Sequence, residues 1–563
     1  MGTAVAAGRV AVVPDPVGSG GRLRLLSEDG GPAGPSLVYP DLAAEVSRRE
    51  AAGSPRWVWA AADEAYPWLL DRGAPRLARC HDVKLVEGLL LGHEGRHRRP
   101  RSLGAAWARL EGRPEPEDPP ESGADDQPVL FAADRHRLPP DADPLTALVA
   151  VHAAQQRRIA GSGHPERMRL LCAAESAGAL AAVEMGRDGL PWSARVHDDL
   201  LTGLLGPRPA GGARPAVLGD LALRIQDALG APVNPDSPAQ VLPAFARAGV
   251  HLASTRSHEL RGVEHPAAAL LLRYKELSRI HAAHGWAWRE AWVRDGRFRP
   301  EYVVGGVVSG RWATRGGGAL QIPRLLRSAV VADPGHRLVV ADAGQLEPRV
   351  LAAMSGDVGL ARAAGEGDLY AALARDAFAG DRPRAKIGLL AAMYGQTSGE
   401  AGQLLAVMRR RFPAALALVE SAARTGEAGG VVRSRLGRTS PAPSADRFRD
   451  DTADPDDGAS PDRRAARSWG RFTRNFVIQA SAADWALAML AALRRRLAGI
   501  GPEPRLVFFQ HDEVIVHTPA ELAGLVADAV TAAGDEARRL VFGPVRVLFP
   551  LQTHVVECYA DAK

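Results

Sequence analysis

One stretch constrains this chain more than any other: Arg337-Leu-Val-Val-Ala-Asp-Ala-Gly-Gln-Leu-Glu-Pro-Arg349. The apolar run Leu338 to Ala341 predicts a buried strand that carries Asp342 to its C-terminal end. Ala343-Gly344 break the strand, and a helical period follows through Met354. A carboxylate delivered this way is a common mount for a metal ligand, and it is equally an ordinary helix N-cap. What else the chain supplies for Asp342 to work with decides between the two.

At 563 residues the chain is too long for one ordinary core, and about two to four domains are expected. No run of roughly eighteen uninterrupted apolar residues occurs, and the N-terminus has no charged segment followed by an apolar one, so a soluble cytoplasmic protein with no membrane partner is expected. Cys80, Cys172 and Cys558 are scattered, which fits structural thiols and neither a disulfide framework nor a metal knuckle. The net charge of +5 and the pI of about 9.3 permit a polyanionic partner without demanding one. Arg greatly outnumbers Lys, which with the heavy Ala, Gly and Pro content fits GC-rich coding as well as phosphate binding.

Along the chain, Arg9 to Val13 and Arg22 to Leu26 are strand-like. Helical patterns follow at Glu64 to Asp71, Val83 to Leu91 and Leu103 to Leu110, which together predict an α/β module. Gly112 to Gln127 is polar and Pro-rich, as in a surface loop. Pro144 to Met185 is long, Ala-rich and helical in period. Leu218 to Leu229, Pro238 to Ala248 and His265 to His284 predict further helices, and the β-branched run Tyr302 to Val308 predicts a strand. A mostly helical stretch spans 357 to 425. Between Ser444 and Asp462 lie Asp450, Asp451, Asp454, Asp456 and Asp457, whose spacing fits a disordered acidic insertion better than an ordered Ca²⁺ loop. No internal repeat is evident.

Three further stretches bear on Asp342. In Arg505-Leu-Val-Phe-Phe-Gln-His-Asp-Glu-Val-Ile-Val-His-Thr518 two apolar runs flank a hairpin with Asp512 and Glu513 expected at its tip. Such tips are often merely solvated, but carboxylates at neighbouring strand ends can hold two divalent ions for phosphoryl transfer, and hard oxygen donors select Mg²⁺ or Mn²⁺. Arg382, Lys386, Leu390 and Tyr394 recur every four residues and share one drifting helical stripe, two cations at one end and an aromatic at the other. That face can grip a polyphosphate and stack a base, or be a solvated turn grading into core. Arg471, Asn475 and Gln479 repeat the spacing, which suits contact with a duplex groove or the solubilising start of a helix that becomes buried after Ala480.

Together these stretches resemble the family A DNA polymerases, the group of bacterial DNA polymerase I. The family's Asp-Tyr-Ser-Gln-Ile-Glu-Leu-Arg stands here as Asp342-Ala-Gly-Gln-Leu-Glu-Pro-Arg349. Its Arg-x3-Lys-x3-Phe-x3-Tyr-Gly matches Arg382, Lys386, Tyr394 and Gly395, with Leu390 in place of the aromatic. Its Gln-x-His-Asp-Glu matches Gln510-His511-Asp512-Glu513 with one residue fewer. Thr-Gly-Arg before Leu-Gln-x-Ile-Pro corresponds to Ser309-Gly310-Arg311 ahead of Leu320-Gln-Ile-Pro323. The resemblance covers about residues 165 to 555.

It implies a multidomain α/β and α+β fold: an RNase H-like exonuclease-type domain over residues 1–160, then a right-hand polymerase over 161–563. The thumb falls at about 165–325, the palm at about 326–356 and 470–563, and the fingers at about 357–469. By the same resemblance Asp342 and Asp512, with the backbone carbonyl of Ala343, ligate two Mg²⁺ ions, and Glu513 supports them. Arg382 and Lys386 hold the triphosphate of a deoxynucleotide, with Gln345, Tyr370 and Leu390 lining its site. Tyr370 takes the slot of a phosphate-contacting histidine. Tyr394 lies near the templating pair, and Glu347 blocks a ribose 2′-hydroxyl. Arg311, Arg471, Asn475, Gln479 and His511 contact primer-template DNA. The implied activity is DNA-templated DNA synthesis in repair or gap filling, by a monomer associated with the bacterial nucleoid. A non-catalytic duplex-binding protein is the alternative.

The N-terminal region resembles the family's 3′-5′ exonuclease domain at Leu77 to Leu90, Ser102 to Trp107 and Asp141-Ala-Asp143. Its carboxylates are incomplete. Asp15 is followed two residues later by Val17 where Asp-x-Glu is needed, counting back from Asp82 puts the second aspartate on Ala65, and Arg137 replaces a tyrosine. An inactive domain is therefore expected, and no counterpart of a preceding 5′ nuclease domain is expected.

Overall fold

The computed structural model describes residues 8–119, 136–318, 320, 322–395, 400–443 and 460–562. The aspartate-dense segment near 446–458 lies outside them.

The chain opens with strands β1 (Arg9–Pro14), β2 (Gly21–Leu26), β3 (Leu37–Tyr39), β4 (Arg56–Trp59) and β5 (Cys80–Asp82), interleaved with helices α1 (Leu42–Gly53) and α2 (Ala62–Asp71). They form one sheet in the order β3-β2-β1-β4-β5, with β1 antiparallel to β2 and parallel to β4. The period of two in β1 splits its side chains between two cores. Val10 and Val12 pack with Trp57, Trp59 and helices α1 and α2, whereas Ala11 and Val58 face the other cluster. That second core is covered by α3 (Val83–His93), α4 (Leu103–Leu110) and α5 (Pro144–Ala160).

The stretch from Pro144 to Met185 is two helices, not one. Gly161-Ser-Gly163-His-Pro165 stops α5, and α6 (Pro165–Asp188) restarts at the proline, whose missing N–H costs nothing at a first helical turn. Leu180 of α6 joins the first core. Glu184 of α6 accepts from Tyr66 (2.5 Å) and from Arg494 Nε (2.8 Å).

The chain divides into two compact units, the second comprising 188–300, 317–338 and 555–563. That unit is a helical body with its own core. It contains the short strand β6 (Leu190–Pro191), then α7 (Ala194–Leu205), α8 (Ala216–Leu229), α9 (Pro238–Arg247), α10 (Ser257–Arg261), α11 (Pro266–His284) and α12 (Trp286–Trp292). Strands β7 (Val293–Arg294) and β8 (Arg297–Phe298) complete a small sheet with β6.

Back in the first unit, β9 (Glu301–Val303) pairs with β10 (Ala313–Arg315). The expected strand from Tyr302 to Val308 ends at Val303, because Gly305 (φ +62°) and Gly306 turn the chain and Arg311 returns its carbonyl to the Val307 N–H (3.1 Å). β11 (His336–Ala343) follows, then α13 (Leu346–Ser355), α14 (Val358–Ala363), α15 (Leu369–Ala377), α16 (Arg382–Tyr394), α17 (Glu400–Arg411) and α18 (Pro413–Glu427). The long α19 (Pro461–Ile500) leads to strands β12 (Arg505–Gln510) and β13 (Glu513–Pro519), helix α20 (Ala523–Phe542) and β14 (Leu551–Val556). The sheet order β12-β13-β11-β14 places the hairpin beside the strand that carries Asp342. By length and composition alone α19 could cross a membrane, but 89% of its most apolar stretch is buried inside the folded chain, as in a core helix.

Candidate active site

The strand carrying Asp342 is fixed by burial: Leu338 to Ala341 are at most 1% exposed. Past Asp342 the chain turns through Gln345, held in the left-handed region (φ 60°, ψ 42°) at the N-cap of α13. Gln345 occupies the cap position, so Asp342 is not the helix cap that its sequence context allowed.

The facing hairpin closes through the two-residue loop His511-Asp512. Gln510 pairs with Glu513 across the ladder, and His511 takes the positive φ (57°) that such tight hairpin turns require. Glu513 is therefore the first residue of β13, 4% exposed, and does not stand at the tip as the sequence suggested. The Ala343 N–H donates to the Asp512 main-chain carbonyl (2.9 Å), which locks the two aspartate-bearing segments together. Burial, and next the neighbouring Asp342 carboxylate, push the Asp512 carboxyl up to about 7. A carboxylate pair that opposes its own ionisation is a setting that a divalent cation relieves, and oxygen donors suit Mg²⁺ or Mn²⁺. Among the described residues no three His, Cys, Asp or Glu side chains form a metal-holding group. Two aspartates with main-chain oxygens fit a cation that also takes ligands from a phosphorylated substrate.

Glu347, in the first turn of α13, is the meeting point of two candidate site side chains. It forms an ion pair with Arg311 and accepts from Tyr394 Oη (2.6 Å). Burial and then Glu347 raise the Tyr394 phenol well above its ordinary range, so it stays a donor. Gly310, Arg311, Glu347, Tyr394, His511 and Asp512 line a cavity of about 120 Å³. Burial, and next Arg311, lower the His511 pKa, so the ring is neutral at physiological pH. His511 Nδ1 and Asn475 Oδ1 are buried without a hydrogen-bond partner. On α19, Asn475 and Gln479 are half-buried and Arg471 is exposed. Arg471 and Arg474 both pack against Gly395 at the end of α16.

On α16 the expected stripe is one continuous helix: Arg382 and Lys386 are exposed, Leu390 is half-buried and Tyr394 closes the helix before Gly395 (φ 76°). Arg382 Nε donates to Asp368 Oδ2 (2.9 Å), and its guanidinium lies 5.6 Å from the centre of the Tyr370 ring. Tyr370 is only 7% exposed. Burial alone would raise the Asp368 carboxyl, but hydrogen bonds from Gln345 and Arg382 outweigh it and hold the group at about 2.

Three residues escaped the sequence reading. Asp368 is one; its signal was the Asp-Leu-Tyr-Ala-Ala pattern of a helix cap. Arg349 is another. It is fully buried, and its guanidinium donates to the carbonyls of Gly344, Ala364, Glu366, Gly367 and Leu548 and to Gln345 Oε1. The third is Arg438, buried between Glu175 (2.7 Å) and Asp484 (3.2 Å) and packed directly under Gly310, the residue before Arg311. A Cβ on Gly310 would stand 2.4 Å from Arg438 Nε. Arg349 closes the motif that begins at Asp342, but nothing in that pattern shows its burial, and no local pattern marks Arg438.

In the N-terminal module Asp82, Asp141 and Asp143 make caps and ion pairs. Asp82 caps α3 through Leu85 N (2.8 Å) and accepts from Ala62 N (2.7 Å). Asp141 pairs with Arg113 (3.2 Å), and Asp143 caps α5 while pairing with Arg22 (2.5 Å). Val13, near the end of β1, packs against the second apolar core, as Trp107 and Leu138 do.

The sequence pattern of DNA polymerase family A matches residues 217–554, more than half of the chain. The chain belongs to DNA polymerase family A. Among curated family A relatives, DNA polymerase I of Chloroflexus aurantiacus is 29% identical over 349 residues, covering 54% of this chain and 35% of that protein. The thermostable DNA polymerase I of Thermus aquaticus is 26% identical over 326 residues, covering 53% of this chain and 37% of that protein. The chain thus spans about a third of the length of the curated relatives it matches. Its mixed α/β multidomain fold is that of a solved structure, the POL domain of Pol1 from M. smegmatis in complex with DNA primer-template and dNTP. The TM-score is 0.71, at 20% identity, over 99% of this chain and 97% of the other.

Proposed function

We propose that this family A chain is a DNA-templated DNA polymerase that adds deoxynucleotides to a primer 3′ end. The observation that carries the reading is the carboxylate pair at adjoining strand ends, with Asp512 lifted to about 7 by burial and by Asp342. Asp342, Asp512 and the Ala343 carbonyl would hold two Mg²⁺ ions, with Mn²⁺ as a substitute, and Glu513 would support them from β13. The ions would neutralise charge on the attacking 3′-oxygen and the leaving pyrophosphate.

The chain's own part is positioning and electrostatics. Arg382 and Lys386 grip the triphosphate from one face of α16, with Gln345, Tyr370 and Leu390 around it. Glu347, pinned by Arg311 and Tyr394, stands where a 2′-hydroxyl would enter, and Tyr394 borders the templating pair. Arg311, His511, Asn475, Gln479 and Arg471 contact the primer-template terminus.

Residues 1–160 are proposed to be an exonuclease-like domain that does not proofread, because its carboxylates serve as caps and ion pairs and an apolar residue ends β1. Residues 161–563 would then be the polymerase, with a thumb at about 165–325, a palm at about 326–356 and 470–563 and fingers at about 357–469. A cytoplasmic, nucleoid-associated monomer serving repair or gap filling completes the proposal. Primer extension with Mg²⁺ tests it. The wild type extends, Asp342→Ala and Asp512→Ala do not, and extension by both variants at wild-type rate would refute the assignment.

A further inference from the structure

Asp368 lies outside the motifs that carry the proposed chemistry, yet its two oxygens join three parts of the site. Oδ1 accepts from the Tyr370 and Ala371 N–H groups (3.0 and 3.2 Å), capping α15, and from Gln345 Nε2 (2.9 Å) in the turn that follows Asp342. Oδ2 accepts from Arg382 Nε (2.9 Å). The Gln345 amide oxygen accepts in return from Leu369 N (2.9 Å).

The bond to Arg382 is selective. Asp368 takes Nε, and the guanidinium carbon lies over the Tyr370 ring, 5.6 Å from its centre. The two terminal nitrogens are the edge that Asp368 does not engage, and that edge is the one an arginine uses to grip phosphate bidentately. The Arg382 and Asp368 side chains are 51% and 43% exposed, so their ion pair adds little to stability and its consequence is orientation.

We propose that Asp368 is a positioning residue that aims the terminal nitrogens of Arg382 at the nucleotide triphosphate and ties α16 to the Asp342 turn. This rests on the polymerase reading above. Asp368→Asn keeps an oxygen for the cap and for Gln345 and loses the carboxylate oxygen that receives Arg382. In single-nucleotide incorporation the variant's KM for the deoxynucleotide rises about tenfold while kcat stays within about threefold, and its melting temperature is unchanged.

A double-mutant cycle separates orientation from a merely structural role. Added to Arg382→Ala, Asp368→Asn has no further effect on KM. An unchanged KM in the single variant, or a full further tenfold loss in the double variant, overturns the inference. If wild-type chain does not extend a primer, the polymerase reading fails on its own. Calorimetric titration with a deoxynucleoside triphosphate then reads Asp368 separately: about tenfold weaker binding by Asp368→Asn supports the role, and equal affinity overturns it.

Discussion

Arg349 offers a sharp test of how the active-site turn is held. Its side chain is 0% exposed and has no carboxylate among its hydrogen-bond partners. Burial pulls its pKa down to about 10, so it remains a cation at neutral pH. It is therefore a buried charge solvated by carbonyl oxygens, one of them Gly344 O (3.0 Å) within the turn between Asp342 and α13, and Asp368 partly offsets the cost of its burial. Replacing it by Met fills similar volume and strips five carbonyls of a charged donor at once. At about 1.5 kcal/mol per charged hydrogen bond the upper limit is roughly 7 kcal/mol. Relief of the desolvation cost and re-pairing with water return part of that, leaving about 4 kcal/mol.

For a unit of about 420 residues, unfolding with about 2.1 cal/mol/K of entropy per residue, that corresponds to a fall of about 4 to 5 °C in melting temperature. Displacement of the Asp342 turn by even about 1 Å should lower kcat roughly a hundredfold. Arg349→Lys, which keeps the charge and loses the planar fork, should fall between. Thermal denaturation with single-turnover incorporation reads both effects. An Arg349→Met chain that melts within about 2 °C of wild type and incorporates at wild-type rate would refute the reasoning.

Three other outcomes are expected. Burial lowers the pKa of His152 and of His284 to about 4, each below its unfolded value. The unfolded chain therefore takes up protons that the folded chain excludes, and stability present above about pH 6.5 is lost as the pH falls toward 4. Denaturant titration from pH 7 to 4.5 should show this slope, reduced in His152→Gln; equal slopes would contradict it. Glu347→Ala should relax sugar discrimination by about tenfold or more in paired deoxy- and ribonucleotide incorporation, and an unchanged ratio would remove Glu347 from that role. A mismatched, end-labelled primer with Mg²⁺ and no nucleotides should keep its length, and 3′ shortening abolished by Asp141→Ala would mean that the N-terminal domain proofreads.

The sequence was most informative where local pattern and tertiary role agree. The apolar run into Asp342 fits a buried strand, and the four-residue spacing of Arg382 to Tyr394 fits one stripe of a helix. It was weaker where one or two residues set the geometry. The sequence puts Glu513 at the hairpin tip because nothing local shows that His511 accepts a positive φ, which shortens the loop to two residues and pulls Glu513 into the strand. Tyr302 to Val308 has strand composition, but its glycine pair turns the chain. Gly161-Ser-Gly163 breaks a helical period that Ala-rich flanks otherwise sustain. The roles of Arg349, Asp368 and Arg438 are not legible for a different reason: an arginine or aspartate in sequence reads as surface, even within a motif as Arg349 is, and only the assembled fold shows that carbonyls or opposite charges surround it.

The central claim is that Asp342 and Asp512 form one cation-dependent site for nucleotide addition. Single-nucleotide incorporation across a Mg²⁺ titration, with chelator as the zero point, tests it most directly. The wild type should be silent without divalent cation and active with it. Asp342→Ala and Asp512→Ala should each fall by about a thousandfold or more at every Mg²⁺ concentration. Incorporation that persists in chelator, or that survives loss of either aspartate, would contradict the account.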